Sequence, residues 1–304
     1  MKVLITGGAG FIGSHLADHL LAAGREVVVL DNLSTGKREN LPDRAPRFRF
    51  VEGDIRSLDT ARDCMEGVGA VVHLAAVASV QASIDDPIAT HQTNFDGTLN
   101  LLEAARVAGV RRFLYASSAA VYGDNAELPV AESTRPQPLS PYAADKLAGE
   151  HYLNYYASKH GLATTAFRFF NIYGPRQDPS SPYSGVISIF VDRVRAGMPV
   201  TVFGDGCQTR DFVFVGDLVA LLASALERDS LTGVTVNVGT GVECSLLQLL
   251  AALENIMGRP IVRKHQDARV GDIVRSCADI GRLRNCFDAV PSTPIREGLR
   301  TLVA

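Results

Sequence analysis

The stretch Thr6-Gly7-Gly8-Ala9-Gly10-Phe11-Ile12-Gly13 decides how this chain folds. It follows an apolar run, Val3–Thr6, that reads as a strand, and it opens a helix expected over Phe11–Ala23 that stops at Gly24. Glycines at 7, 10 and 13 have separate tasks. Gly7 permits a tight turn, Gly10 lets backbone approach a pyrophosphate favoured by the helix N-terminus, and Gly13 lets the helix pack closely. Asp31 ends the next strand, Val27–Leu30. A carboxylate there accepts hydrogen bonds from ribose hydroxyls and repels a 2′-phosphate, so the pattern predicts a dinucleotide site preferring NAD to NADP. Asp54-Ile55 closes the third strand, where the adenine ring is expected; the alternative reading of Asp54 is a strand-end cap.

Working outward, further strands are expected at Arg47–Asp54, Ala70–Ala76, Arg111–Ser118 and Thr164–Asn171, with helices at Thr90–Gly109 and Pro141–Gly161. Several strands are continuous apolar runs rather than alternating ones, as in strands covered on both faces. The fold class is therefore α/β, a doubly wound parallel sheet of Rossmann type, with a smaller mixed α/β C-terminal unit. The division falls at 1–171 for dinucleotide binding and 172–304 for substrate, with segments interleaved. In the second part, Ser188–Ala196, Asp217–Leu226 and Leu246–Met257 read as helices, and Val200–Phe203, Asp211–Val215 and Val234–Val238 as strands.

Composition narrows the function. A chain of 304 residues that is 46% hydrophobic and 21% charged has the material for a sizeable core, which excludes a disordered chain. A net charge of −3 gives no basic excess for a nucleic-acid backbone or an anionic membrane. The uncharged run Gly67–Ile84 is broken by His73, Ser79, Gln81 and Ser83, so it is no membrane span. Five cysteines at wide spacing form no C-x-x-C, which argues against a metal site or a disulfide framework. With no signal-peptide pattern at the N-terminus, the expected location is cytoplasmic.

A second constellation carries chemistry. Tyr142 and Lys146, in Tyr142-Ala143-Ala144-Asp145-Lys146, lie four apart near a helix start and share a face. Ser118 ends a strand at the carboxyl edge of the sheet, where α/β ligands bind. A tyrosine near pKa 10 needs to drop by about three units to act as a base at neutral pH. A nearby ammonium and a positively charged nicotinamide supply that change. His73, inside an apolar strand end, reads as a satisfied core histidine.

Jointly, TGGAGFIG (6–13), DNLSTG (31–36), GDI (53–55), HLAA (73–76), SSAAVYG (117–123), YAADK (142–146), RFFNIYGPRQDP (168–179) and GDGCQTRDFV (204–213) make the chain resemble the extended short-chain dehydrogenase/reductase family, above all its nucleotide-sugar 4-epimerases. The resemblance covers nearly the whole chain. It implies Ser118, Tyr142 and Lys146 as the catalytic triad. It places Phe11, Ile12, Asn32, Ser34, Thr35, Gly36, Ile55, Leu74, Ala75, Ala76, Asn94 and Phe170 on the cofactor side with the residues above. Asn171, Val186, Arg210, Arg269, Asp272 and Ser276 fall on the substrate side with Ser118, the two arginines on a diphosphate.

The resemblance also implies a cycle in which Tyr142 takes the 4-hydroxyl proton of a UDP-sugar while NAD takes the hydride. The 4-keto sugar turns over, and both are returned to the other face. Related dehydratases and decarboxylases carry acidic residues just after the serine; here Ala119 and Ala120 cannot transfer protons. Ser276 is small where a tyrosine would restrict the family's pocket at the sugar C2 substituent. The resemblance thus implies UDP-N-acetylglucosamine and UDP-N-acetylgalactosamine as substrates, with UDP-glucose and UDP-galactose also accepted. It implies a homodimer formed as a four-helix bundle by Thr90–Gly109 and Pro141–Gly161. An oxidoreductase that releases its reduced product and a non-catalytic dinucleotide sensor are the rival readings.

Overall fold

The computed structural model describes residues 1–43, 45–125, 127–179, 185–228, 231–268 and 273–303. Seven parallel strands form its central sheet: β1 Lys2–Thr6, β2 Glu26–Asp31, β3 Phe48–Glu52, β4 Val68–His73, β5 Arg112–Ser118, β6 Ala163–Phe169 and β7 Val234–Val238, in the order β7-β6-β5-β4-β1-β2-β3. The chain starts in the middle, runs outward to β3, and restarts at β4 on the other side of β1. That reversal leaves a crevice at the carboxyl ends of β1 and β4, where such sheets bind ligands. The seventh strand comes from the half of the chain beyond residue 171, so the interleaving reaches the sheet itself.

Apolar runs such as Val27–Leu30 are buried throughout because both faces of the sheet are covered. Helices α1 Phe11–Ala22 and, further along the chain, Val215–Leu226 pack against each other over one face. Helices α2 Gly97–Val107 and α3 Pro141–His160 cover the other. A third core, built on α4 Val186–Arg195, the strand Val200–Phe203 and the helix Leu246–Met257, forms the smaller unit.

Two expected elements break, each for a tertiary reason. The helix expected over Thr90–Gly109 begins earlier, at Pro87, runs through a π-helical turn at Gln92–Asp96, and continues as α2. Asn94 sits in that turn with its side-chain amide accepting from Val77 N and donating to Val77 O. The strand expected over Thr164–Asn171 ends at Phe169. Phe170 N donates to Val238 O in the central sheet, whereas Asn171 N donates to Asp211 O. Asn171–Tyr173 then pairs in parallel with Phe212–Phe214. The chain thus changes layer within two residues, carrying Asn171 out of the central sheet and onto Phe212–Phe214.

Among the described residues, no helix is long and apolar enough to cross a membrane, and no cluster of three or more His, Cys, Asp or Glu residues could hold a metal ion.

Candidate active site

The glycine turn has the geometry an anion cradle needs. Gly7 adopts φ +68, open to glycine at little cost, and a Cβ on Gly13 would collide with the Gly7 carbonyl. Gly10 is the N-cap of α1, with no side-chain cap and no acidic residue in the first turn, so the positive end of the helix remains available to a pyrophosphate. At the end of β2, Asp31 is 8% exposed; its Oδ2 accepts from Ala9 N at 2.9 Å and its Oδ1 from Leu33 N at 2.8 Å. Those bonds fix the carboxylate in the cavity wall. Gly36 does not line that wall. A Cβ there would stand 2.9 Å from the Asp31 carboxylate, so Gly36 lets the loop close beneath it.

The crevice is a cavity of about 600 Å³. Gly7, Gly10, Phe11, Ile12, Gly13, Asp31, Asn32, Ser34, Thr35, Asp54, Ile55, Leu74, Ala75, Ala76 and Phe170 line it, and Ser118, Tyr142 and Lys146 stand in its wall. In its wall beyond the end of β3, Asp54 is bound by Arg56 and Asn32, which hold its carboxyl below the usual carboxylate range, the Arg56 hydrogen bond most strongly. Asn94 is expected on the cofactor side, yet it is 1% exposed and absent from the cavity wall. Its amide is committed to Val77, so it braces the Leu74–Val77 segment from behind.

The triad converges on this cavity. Ser140 caps α3 by accepting from Ala143 N, and Pro141 occupies the first turn, which sets the helix start just ahead of Tyr142. Lys146 follows one turn later, with Nζ 5.9 Å from the Tyr142 ring centroid. Ser118 Oγ accepts from Ala120 N at 3.1 Å, which leaves its own proton to donate. Burial pushes the Tyr142 phenol above its ordinary pKa, against a lowering by the Ser118 hydrogen bond. The sequence leads one to expect a depressed phenol. In the protein alone burial wins, so the depression a base needs has to come from charge brought into the site. Burial also pushes the Lys146 ammonium down to about 8, with the nearby Asp145 charge opposing it.

A second cavity, of about 380 Å³, is lined by Asn171, Val186 and Arg210, all expected on the substrate side. Phe169, Phe170 and Ile172 line the first cavity and Asn171 the second, so this short segment is their shared wall. Arg210 Nη1 donates to Thr209 O and to Ile273 O at 2.7 Å, tying the segment that leads to Ser276 onto the second cavity. Ser276 itself is half-buried and lines neither cavity. Arg269 and Asp272 lie outside the described residues.

Sequence reasoning misses several residues. Gln177 and Thr93 join the first cavity, and Phe203, Gln208 and Arg193 the second. Gln208 stands within the quoted GDGCQTRDFV segment, a signal that was there to read. Asp211 of that segment is fully buried and accepts from Thr240 N, Thr240 Oγ1, Gly241 N and Ala278 N, which makes it the clasp of the smaller unit. His73 is a satisfied core histidine. Thr98 Oγ1 donates to Asn94 O, so it accepts from His73 Nε2–H, and His73 Nδ1 then accepts from Thr6.

The fold and site define an α/β dinucleotide-binding enzyme with Ser118, Tyr142 and Lys146 in the wall of its cavity. The chain belongs to the NAD dependent epimerase/dehydratase family, whose model matches residues 3–239. It is 42% identical over 307 residues to a UDP-glucose 4-epimerase of Mycolicibacterium smegmatis, covering 100% of this chain and 97% of that protein. Among solved structures, a UDP-N-acetylglucosamine 4-epimerase from Methanobrevibacter ruminantium, in complex with UDP-N-acetylmuramic acid, superposes with a TM-score of 0.95 at 36% identity, covering 99% of this chain and 96% of that one. A Thermus thermophilus UDP-glucose 4-epimerase in complex with NAD superposes with a TM-score of 0.90 at 41% identity, covering 100% and 98%. The cofactor is NAD, and the uncapped helix start, the buried Asp31 and the cavity volume fit it.

Proposed function

We propose that this enzyme is a UDP-sugar 4-epimerase that interconverts UDP-N-acetylglucosamine with UDP-N-acetylgalactosamine and also turns over UDP-glucose and UDP-galactose. The observation that carries the reading is the placement of Ser118, Tyr142 and Lys146 in the wall of the dinucleotide cavity, next to a second cavity suited to a nucleotide sugar. The similarity to C4-epimerases of both sugar classes supports it.

In this reading Tyr142 removes the proton of the sugar 4-hydroxyl and later returns it. Ser118 donates to the same oxygen, and Lys146 keeps the phenolate stable. NAD, when bound, supplies reversible hydride acceptance at C4. Arg210 and Arg269 hold the diphosphate, with Asp272 orienting Arg269 or a ribose hydroxyl, so the sugar can turn while its anchor stays. Ala119 and Ala120 open a short 3₁₀ turn and offer no acid or base beside the substrate, which disfavours elimination of water. Ser276 lines neither cavity, and the gating reading rests on the family pattern, in which a small residue here leaves room for an acetamido group; it follows Ile273, whose carbonyl Arg210 holds.

The UDP-glucose 4-epimerase relatives favour a second, narrower reading in which the acetylated sugars are excluded. Incubating the protein with UDP-N-acetylglucosamine and with UDP-glucose, and resolving the C4 stereoisomers by NMR, separates the two. Epimerisation of both sugars with no net change in NADH absorbance supports the broad reading. Turnover of UDP-glucose alone supports the narrow one, and net reduction of added NAD points to an oxidoreductase.

A homodimer through α2 and α3 belongs to the same proposal. Val107 and Tyr155 are 61% and 50% exposed on the helices that would form it. Sedimentation of the wild type at twice the chain mass is the expected result.

A further inference from the structure

Lys146 is 2% exposed, and of the carboxylates flanking it on its own helix Asp145 acts on it through its charge, while both make their ion pairs with other residues. Asp145 Oδ1 is 2.7 Å from His91 Nδ1, and Glu150 is paired with Arg168. Its ammonium instead lies over the ring of Tyr115, 4.9 Å from the centroid, with the Tyr142 ring at 5.9 Å. An aromatic face carries the negative end of the ring quadrupole and attracts a cation, the more so when both are desolvated.

Tyr115 packs in the core beneath α2 and α3, beside the His73 ring. It is fully buried on β5, and its hydroxyl finds no hydrogen-bond partner of good geometry. Space for it is made by Gly149, where a Cβ would stand 2.5 Å from the Tyr115 oxygen and 2.7 Å from Cζ. The helix that bears Tyr142 and Lys146 thus gives up a side chain to let this ring in.

We propose that Tyr115 is a positioning residue whose ring face keeps the Lys146 ammonium charged and beside Tyr142. The inference rests on the reading of Tyr142 and Lys146 as the proton-transfer pair. The groups that bear on Lys146 are Asp145 and Tyr142 from its own helix, Tyr115 from β5, and His73 from β4. Glu150 bears on Tyr115. Burial already brings the lysine down to about 8, close to working pH, so a platform that favours the charged form matters there. Removing it lowers the lysine further and strips the ammonium from Tyr142 at a lower pH.

The chain has five lysines, so ¹³C-labelled lysine gives an NMR titration of Lys146 that can be assigned with Lys146→Arg. The NAD-loaded protein is used, with no sugar present, so the result stands whichever sugar the enzyme takes. Tyr115→Phe is expected to keep the wild-type midpoint, because the ring remains. Tyr115→Leu is expected to lower it by about half to one pH unit. Phenylalanines bearing one, two and three ring fluorines at position 115 weaken the quadrupole at nearly constant volume, and are expected to lower the midpoint stepwise. They decide the matter if Tyr115→Leu does not fold. An unchanged midpoint across the fluorinated series, or a Tyr115→Phe shift as large as that of Tyr115→Leu, overturns the proposal.

Discussion

Glu150 of α3 and Arg168 form a two-pronged ion pair, with Arg168 Nε and Nη2 at 2.9 Å and 2.7 Å from the two carboxylate oxygens. Ser117, the neighbour of Ser118, donates to the same carboxylate. The pair thereby locks α3 to the ends of β5 and β6, and both side chains are almost completely buried. Burial works against the Arg168 charge, but the Glu150 carboxylate more than offsets it and the guanidinium pKa is raised. Glu150→Ala would leave that charge buried and unpaired. The expected loss of stability is about 3–5 kcal/mol, read by chemical denaturation. A loss below about 1 kcal/mol would mean the pair does not hold the helix.

Asp31 is expected to set cofactor choice. Asp31→Asn keeps the size and removes the charge that repels a 2′-phosphate. NAD is expected to bind roughly ten- to a hundredfold more weakly, by the loss of charge-assisted hydrogen bonds, while NADP weakens less or improves. Titration of both cofactors by calorimetry checks it, and an unchanged NAD-to-NADP ratio would remove Asp31 from the site.

The gating role proposed for Ser276 has its own test. Ser276→Tyr is expected to lower kcat/KM for UDP-N-acetylglucosamine by about tenfold or more while leaving UDP-glucose within a few-fold. Equal effects on the two sugars would make Ser276 a mere loop residue.

His73 gives a pH signature. It is 1% exposed, and burial first, then the Lys146 charge, holds its pKa well below 6.5. The unfolded chain therefore takes up a proton that the folded protein refuses. Stability is flat with respect to this group above pH 6.5 and falls as pH drops below it, by up to about 1.4 kcal/mol per pH unit. His73→Gln is expected to be less stable at pH 7.5 and to lose less between pH 6.5 and 5. A wild-type slope unchanged in the variant would refute the assignment.

The parts that local pattern could show were the ones that depend on local pattern. TGGAGFIG exposes its role because a strand, glycines at set intervals and a helix start must coincide. Tyr142 and Lys146 stand out because a helix puts residues four apart on one face. What stayed hidden depends on who packs against whom. Phe170 and Asn171 read as one strand until they pair with different layers, and Val234–Val238 reads like any short strand although it extends the large sheet. Tyr115 looks like one more core aromatic, and its place under Lys146 is a property of three dimensions. Asn94 shows the converse, since its motif position points at the cofactor while its hydrogen bonds go to Val77.

The central claim is that the Tyr142 phenol carries the proton in C4 epimerisation. Its most direct test is turnover of UDP-N-acetylglucosamine and UDP-glucose by Tyr142→Phe, followed by NMR at C4, with NAD content measured on the same sample. The account predicts a fall of about 10²- to 10⁴-fold or more in kcat with NAD still bound. Turnover close to the wild type in a variant that retains NAD would contradict it.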